Sequence, residues 1–488
     1  MNKGSEKPVL ARGEPEASLP GKQWWRQDST RLARLALVVG LIVAGLLFLT
    51  WRPASPVPQA STATCSISFQ PGVAPASSSI HTIKQAYNCL LDNYAGTLDP
   101  RDLLRHAMIG IVNYLLQHQQ DQPAAVLPRL SDDRQADWQA FERTYTAITA
   151  HRSLSRPQLV AAAIAEMVNS LHDDHAHYLP ASLNATNGTE SSQAGTQTGL
   201  GIHLSFSPNQ FAPASPPLFI RGIDPGSPAE QAGLRPGDSI VTINGFPPFI
   251  GQELVPQVVN PLLNSEPVQL QIQHPGAPGA ISIHLVPAAY PAAPLVSTRM
   301  LPGNILYVQL TRFERGAADQ ISSAVQQAGT HLKGLILDLR GNGGGDTEEQ
   351  RRIISLFVHN QVIGTLVDRQ GQRTEIRTDD SVSMLHVHLV ALIDRDCASA
   401  CDVTAMDIRD LHLGRLVGER TAGAASGPTR GFFLDDGSVV AMPQAFLQGP
   451  AGEIVDGIGV PPDEEVSPTP ADLAAGHDPV REKALQDL

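Results

Sequence analysis

Leu35 to Trp51 reads LALVVGLIVAGLLFLTW, seventeen residues without a charge. A helix needs ~17–25 such residues to span a bilayer, and in lipid every backbone polar group has to be paired within the segment. The run therefore predicts one transmembrane helix over residues 35–51. The alternative, a buried helix of a soluble domain, fits its flanks poorly. Residues 1–34 carry seven Lys/Arg (Lys3, Lys7, Arg12, Lys22, Arg26, Arg31, Arg34) against four acids. Beyond the run comes a Pro/Ser/Thr/Ala stretch, Pro53 to Thr64. The positive flank puts the N-terminal tail in the cytoplasm and the remaining chain outside. That tail is long for the leading region of a cleaved signal, which favours a retained anchor over cleavage near Ala60–Ala63.

The charge balance narrows the partners of the exported part. The whole chain has a formal charge of −13; residues 1–34 contribute +3, so the remainder carries −16. An acidic body lacks the basic stripe that a phosphate backbone requires, so no nucleic-acid partner is expected. The length, 488 residues, suits two to four domains at ~100–200 residues each.

Hydrophobic spacing divides the exported part. Residues 52–77 read as a linker. Ile83, Ala86, Tyr87, Leu90 and Leu91 recur at helical spacing, as do Leu103, Leu104, Met108, Ile111, Val112 and Leu115, and again Leu159, Ala162, Ala163 and Met167. Residues 78–190 are therefore expected to be helical, ending in a polar loop from Ser182 to Thr198. From 195 to 290 short β-rich runs alternate with Gly/Pro turns. From 300 to 470 strands alternate with helices, which predicts an α/β sheet. GLILDL (Gly334–Leu339) and LVALI (Leu389–Ile393) are its clearest strands. Residues 471–488 end in a predicted helix, Asp478–Leu488.

Two segments carry candidate chemistry. After the Leu389 strand comes Asp394-Arg395-Asp396-Cys397-Ala398-Ser399-Ala400-Cys401-Asp402. A serine between a strand and a helix N-terminus is exposed at the positive end of the dipole, a setting that suits a nucleophile and equally an ordinary N-cap. After the Gly334 strand comes Arg340-Gly341-Asn342-Gly343-Gly344-Gly345. Its backbone N–H groups can receive an anion. The Lys-Ser/Thr of a phosphate loop is absent, which leaves an oxyanion hole or a plain turn.

The stretch GLGIHL followed by IRGIDPGSPAEQAGLRPGDSIVTING resembles a PDZ domain. In that resemblance Gly199, Leu200, Gly201 and Ile202 form the loop that receives a peptide C-terminal carboxylate, with the peptide adding as an edge strand. DLRGNGGG, ASACDVTAMDIRD, LVGERTAG, LDDGSVVAMP and DGIGVPPD, in that order, resemble the S41 serine peptidases, the C-terminal processing and tricorn-like enzymes. The implied fold is α/β: a ClpP/crotonase-like S41 core, a helical N-terminal domain and an inserted β-rich PDZ domain, preceded by the one transmembrane helix. The implied activity is a membrane-anchored, extracytoplasmic serine endopeptidase acting on polypeptides, without a cofactor. Ser399 falls at the nucleophile, and Ala400 with Gly343 or Gly344 at the oxyanion hole.

One position departs from the processing peptidases. Their lysine base, twenty-five residues beyond the serine, is Ala424 here. Arg420 and Arg430 are nearby, but arginine stays protonated and makes a poor base. The tricorn-like branch uses histidine in a D-x-H-T-x-x-L-P segment, which His172-Asp173-Asp174-His175-Ala176-His177-Tyr178-Leu179-Pro180 resembles. That resemblance makes His175 the base, Asp174 its polar neighbour and Asp456 the distant acid. A metal site on His172, His175 and His177 is the competing reading; no second ligand cluster or H-E-x-x-H helix accompanies it. An S41-like protein that binds a peptide or ligand without hydrolysing it is the competing function. The four cysteines pair most simply as Cys65–Cys89 and Cys397–Cys401. The second bridge requires Cys397 to sit in the turn before the helix, because i,i+4 Cβ atoms within a helix are ~5–6 Å apart and a disulfide needs ~3.5–4.5 Å.

Overall fold

A computed structural model describes residues 75–120, 125–126, 129–150, 154–181, 195–206 and 215–488. The predicted membrane run, Leu35–Trp51, and Cys65 lie outside these residues. Among the described residues no helix is long and apolar enough to cross a membrane.

Four helices come first: Ile80–Asn93, Pro100–Gln117, Arg134–Thr149 and Arg156–Asn169. The first three begin at a polar cap. Ser79 accepts the His81 N–H, Asp99 the Arg101 N–H, and Asp133 the N–H groups of Gln135 and Ala136, which satisfies donors a helix leaves open at its start. Their apolar stripes (Ile83, Leu90, Leu104, Ile111, Leu159, Ile164) share one core with Phe432, Val440 and Met442. Those last three belong to the antiparallel strands Thr429–Phe433 and Val439–Pro443. A short strand, His177–Leu179, pairs with the latter, Tyr178 opposite Val440. The helical layer and this small sheet thus fix the segment that carries His175.

The central sheet has six strands in the order Val296–Leu301, Ile305–Leu310, Gly334–Asp338, His388–Ile393, Gly414–Gly418 and Glu464–Glu465. The first pair is antiparallel and the rest are parallel. Gly334–Asp338 is buried at every position, as a strand covered on both faces must be. Leu335, Leu337 and Ala391 share one core with Ile353 and Met406 of the helices Thr347–Ser355 and Ala400–Asp410. Ile336, Val390 and Leu392 share the other with Val480 and Ala484 of the C-terminal helix Pro479–Gln486. Three parallel strands end side by side, so the turns after Asp338, Ile393 and Gly418 meet at one edge. That is where α/β sheets hold their sites.

The module between has its own core, which includes Leu218, Ile220, Ile240, Leu270 and Ile272. Ser239–Ile243, Val268–Gln273 and Ile281–Leu285 form an antiparallel meander, and Ile202–Leu204 pairs with Ile220–Ile223. Two short helices, Pro228–Gln231 and Pro256–Leu263, complete it. Arg221 of this module lies 2.5 Å from Glu419 at the end of a central strand, and Glu419 also meets Arg395 at 3.1 Å.

Candidate active site

Ser399 precedes the helix Ala400–Asp410 with φ +58° and ψ −120°. A positive φ in a non-glycine residue costs about 1–3 kcal/mol and persists only where neighbours impose it. Here they do. The Ser399 N–H donates to Asp402 Oδ2 at 2.9 Å. The Ala398 N–H donates to Asn342 O at 3.0 Å, and Cys397 O accepts the Ala422 N–H at 2.9 Å. Cys397 sits in the turn, three residues before the helix, and is disulfide-bonded to Cys401 with a Cα–Cα distance of 5.2 Å.

Asp402 is fully buried and ties this turn to the next loop. It accepts the Gly423 N–H on Oδ1 at 2.9 Å and the Ala424 N–H on Oδ2 at 3.0 Å. Burial pushes its carboxyl up to about 6, against the opposing pull of the Thr421 hydroxyl and the three N–H groups. Ala424, at the position of the processing-peptidase lysine, is 4% exposed and brings no amine to the site.

His175 Nε2 lies 3.2 Å from Ser399 Oγ, across 224 residues of sequence. The loop that delivers it is held from several directions. Asp173 Oδ1 accepts the His175 N–H and the Ser426 hydroxyl, both at 2.9 Å. Asp173 Oδ2 accepts the Tyr94 hydroxyl at 3.0 Å, and the Thr429 hydroxyl donates to His175 O at 3.2 Å. Burial pushes His175 below its ordinary value, a shift that Asp173 opposes. A neutral imidazole accepting the serine proton at Nε2 carries its own proton on Nδ1. That Nδ1 is buried and has no hydrogen-bond partner among the described residues.

The two acids assigned to orient the imidazole occupy other places. Asp174 is exposed, because the turn directs Asp173 inward in its stead, onto Tyr94 and Ser426. Asp456 Oδ1 accepts the Ala425 N–H at 2.9 Å and forms no hydrogen bond with His175. Burial, reinforced by Asp173, Asp174 and Asp402, pushes Asp456 up to about 6. The glycine pair also separates. The Gly344 N–H donates to Asn342 Oδ1 at 2.8 Å, so it is not an open oxyanion donor. Neither Gly343 N–H nor Ala400 N–H has an acceptor among the described residues. Gly344, at φ +99°, lies against the serine: a Cβ there would come within 2.7 Å of Ser399 Cβ and of Ala398 O. Among the described residues no group of His, Cys, Asp and Glu is placed to hold a metal ion.

The residues 304–466 that build this edge match peptidase family S41, and residues 219–252 match the PDZ domain. Over residues 304–466, about a third of the chain, the sequence is similar to peptidase family S41. It is 32% identical over 303 residues to the chloroplastic C-terminal processing peptidase of Tetradesmus obliquus, covering 57% of this chain and 63% of that one. Identity to the chloroplastic carboxyl-terminal-processing peptidase 2 of Arabidopsis thaliana is 28% over 314 residues, covering 62% and 59%. The carboxyl-terminal-processing protease of a Synechocystis strain is 30% identical over 283 residues, covering 56% and 63%. The match thus spans about three fifths of each relative's length. A photosystem II D1 C-terminal processing protease shares the fold, with a TM-score of 0.53 at 23% identity, covering 81% of this chain and 94% of that one.

In the PDZ module, Leu200 O and Gly201 O accept the N–H groups of Ala229 and Asp224, while the Leu200 and Gly201 N–H groups have no acceptor among the described residues. Gly199 and Ile202 sit at the ends of the flanking strands. A groove of about 200 Å³ opens here, lined by Leu200, Ile202, Phe206 and Leu262, with Asp396 of the Ser399 turn at its rim. Sequence reasoning missed Tyr94, Asp173, Asn342, Asp402 and Ser426. Asp402 had a signal in the Ser-x-x-Asp spacing of a capping pair, Asp173 in the first position of the D-x-H segment and Asn342 in DLRGNGGG; Tyr94 and Ser426 had none.

Proposed function

We propose that this chain is a serine endopeptidase anchored by Leu35–Trp51, with its N-terminus cytoplasmic and its catalytic body outside. The observation that carries the chemistry is the 3.2 Å approach of His175 Nε2 to Ser399 Oγ. Ser399 Oγ attacks a peptide carbonyl as His175 takes its proton; His175 then returns the proton to the leaving amine. The Ala400 and Gly343 N–H groups receive the oxyanion. Asp173 holds the histidine loop, and Asp456 supplies negative charge as the imidazolium forms. The open N–H groups of Leu200 and Gly201, beside a groove that mixes Leu200, Ile202, Phe206 and Leu262 with His203 and Ser265, support capture of a polypeptide C-terminus.

Ala424 favours a second reading, an S41-like protein that holds a peptide or ligand without cleaving it. A membrane-impermeant fluorophosphonate applied to spheroplasts expressing the full chain separates the two. Labelling of the wild type, lost in Ser399→Ala and reduced at least a hundredfold in His175→Ala, is the expected result. An unlabelled wild type, in spheroplasts and after lysis alike, favours the binding protein. Labelling only after lysis overturns the location and leaves the chemistry standing.

A further inference from the structure

We infer that the Cys397–Cys401 disulfide is a positioning element of the Ser399 turn, a fixed brace without which the hydroxyl is misaligned. The inference rests on the serine-peptidase reading above and concerns how that site is held.

The bridge closes a ring of five residues, Cys397-Ala398-Ser399-Ala400-Cys401. Two groups assigned to chemistry lie inside it, the Ser399 hydroxyl and the Ala400 N–H. The Cys401 N–H donates across the ring to Ala398 O at 3.0 Å. Outside the ring, Ala398 N–H is tied to the Asn342 turn and Cys397 O to Ala422. The ring is therefore the joint between the oxyanion turn, the serine and the loop that carries Ala424.

The competing conformation is a longer helix. Ala398 and Ser399 are followed directly by a regular helix, Ala400–Asp410. Extending that helix back by one turn would relieve the positive φ at Ser399 and swing its hydroxyl away from His175. Within a continuous helix, i and i+4 Cβ atoms stand ~5–6 Å apart, too far for a disulfide, which needs ~3.5–4.5 Å. The bridge thus excludes the relaxed helix and leaves Ser399 the bent conformation it has. Both cysteines are fully buried, and exchange requires access of a thiolate to one sulfur. This marks a permanent brace and not a switch thrown in the folded enzyme.

The test uses the full chain in detergent. Wild type is opened in mild denaturant and reduced by a dithiol. The disulfide takes two electrons and two protons, giving two cysteine thiols and the cyclic oxidised dithiol. The protein is then returned to native buffer, and alkylation mass confirms two free thiols. A Cys397→Ala/Cys401→Ala pair is studied in parallel. The expected result is a phosphonylation rate at Ser399 at least tenfold below that of the oxidised wild type. With it, kcat falls by the same factor and KM stays within twofold. Reoxidation by a small-molecule disulfide, which takes up the two electrons and two protons to give two thiols, restores the reduced wild type and leaves the alanine pair unchanged. Assays run below the unfolding midpoint of each form, so a loss that only tracks the unfolded fraction counts against the inference. Wild-type labelling with equally fast labelling of the reduced form overturns this inference alone. An oxidised wild type that does not label overturns the peptidase reading and this inference with it.

Discussion

At the scale of single residues, a buried carboxylate joins the Ser399 turn to the loop that carries Ala424. Asp402 accepts N–H groups from Ser399, Gly423 and Ala424 on its two oxygens. An asparagine has one acceptor oxygen, and its amide NH2 would confront at least one of those donors. A buried donor left unpaired costs about 1–3 kcal/mol. Asp402→Asn is therefore expected to lose stability in that range, read by denaturant unfolding, together with at least tenfold in kcat. Unchanged stability would show that the carboxylate is not what joins the two loops. His175 sets the pH response. Burial holds it below its ordinary value, and a general base works when neutral, so activity is lost as pH falls through that lowered value. The acid limb of kcat/KM is expected below pH ~6.5, the unperturbed imidazole value. Asp173 raises His175, so Asp173→Asn is expected to shift the limb further towards acid. A limb at pH 7 or above, or a shift in the opposite direction, would remove His175 from the role of base.

At the scale of elements, the turn after Gly334–Asp338 contains two glycines with different tasks. A Cβ on Gly343 meets nothing within 4 Å, whereas one on Gly344 collides with Ser399 Cβ and Ala398 O at positive φ. Gly343→Ala is expected to keep the wild-type unfolding midpoint. Gly344→Ala is expected to lose about 3 kcal/mol or more, the scale of overpacking and backbone strain combined, and to abolish labelling. Equal behaviour of the two variants would mean that the turn is not pressed against the serine. This contrast marks how far the sequence could be read. GLILDL and LVALI were legible as strands because a strand buried on both faces is apolar throughout. The hairpin Val362–Asp368 with Arg373–Arg377 was not, since Arg373 to Arg377 reads RTEIR and is mostly exposed. The three glycines announced a turn; which of their N–H groups stays open depends on Asn342, and spacing does not reveal that. The approach of His175 to Ser399 follows from no periodicity at all. It depends on the strand His177–Leu179 adding to a sheet whose other strands begin 250 residues later, and only the family resemblance related the two segments.

At the scale of the whole molecule, the PDZ module and the peptidase core meet through charge. Arg221, 11% exposed, lies 2.5 Å from Glu419, 9% exposed, and Glu419 also pairs with Arg395 and accepts the Ser467 hydroxyl. Arg395 stands between Asp394, whose Oδ1 accepts the Gly341 N–H, and the Asp396 carboxylate at the groove rim. These contacts link the module to both turns of the candidate active site. Removing one partner of a buried ion pair costs about 3–5 kcal/mol when the other is stranded. Here Arg395 and Ser467 remain on Glu419, so Arg221→Ala is expected to cost less, about 2 kcal/mol. A double-mutant cycle with Glu419→Gln measures the link directly. Coupling above about 1 kcal/mol is expected, with faster hydrogen exchange in Ile220–Ile223 than in the buried strand Gly334–Asp338. Additive effects would mean that the module rests on the core by shape alone, and that occupancy of its groove has no charged route to Ser399.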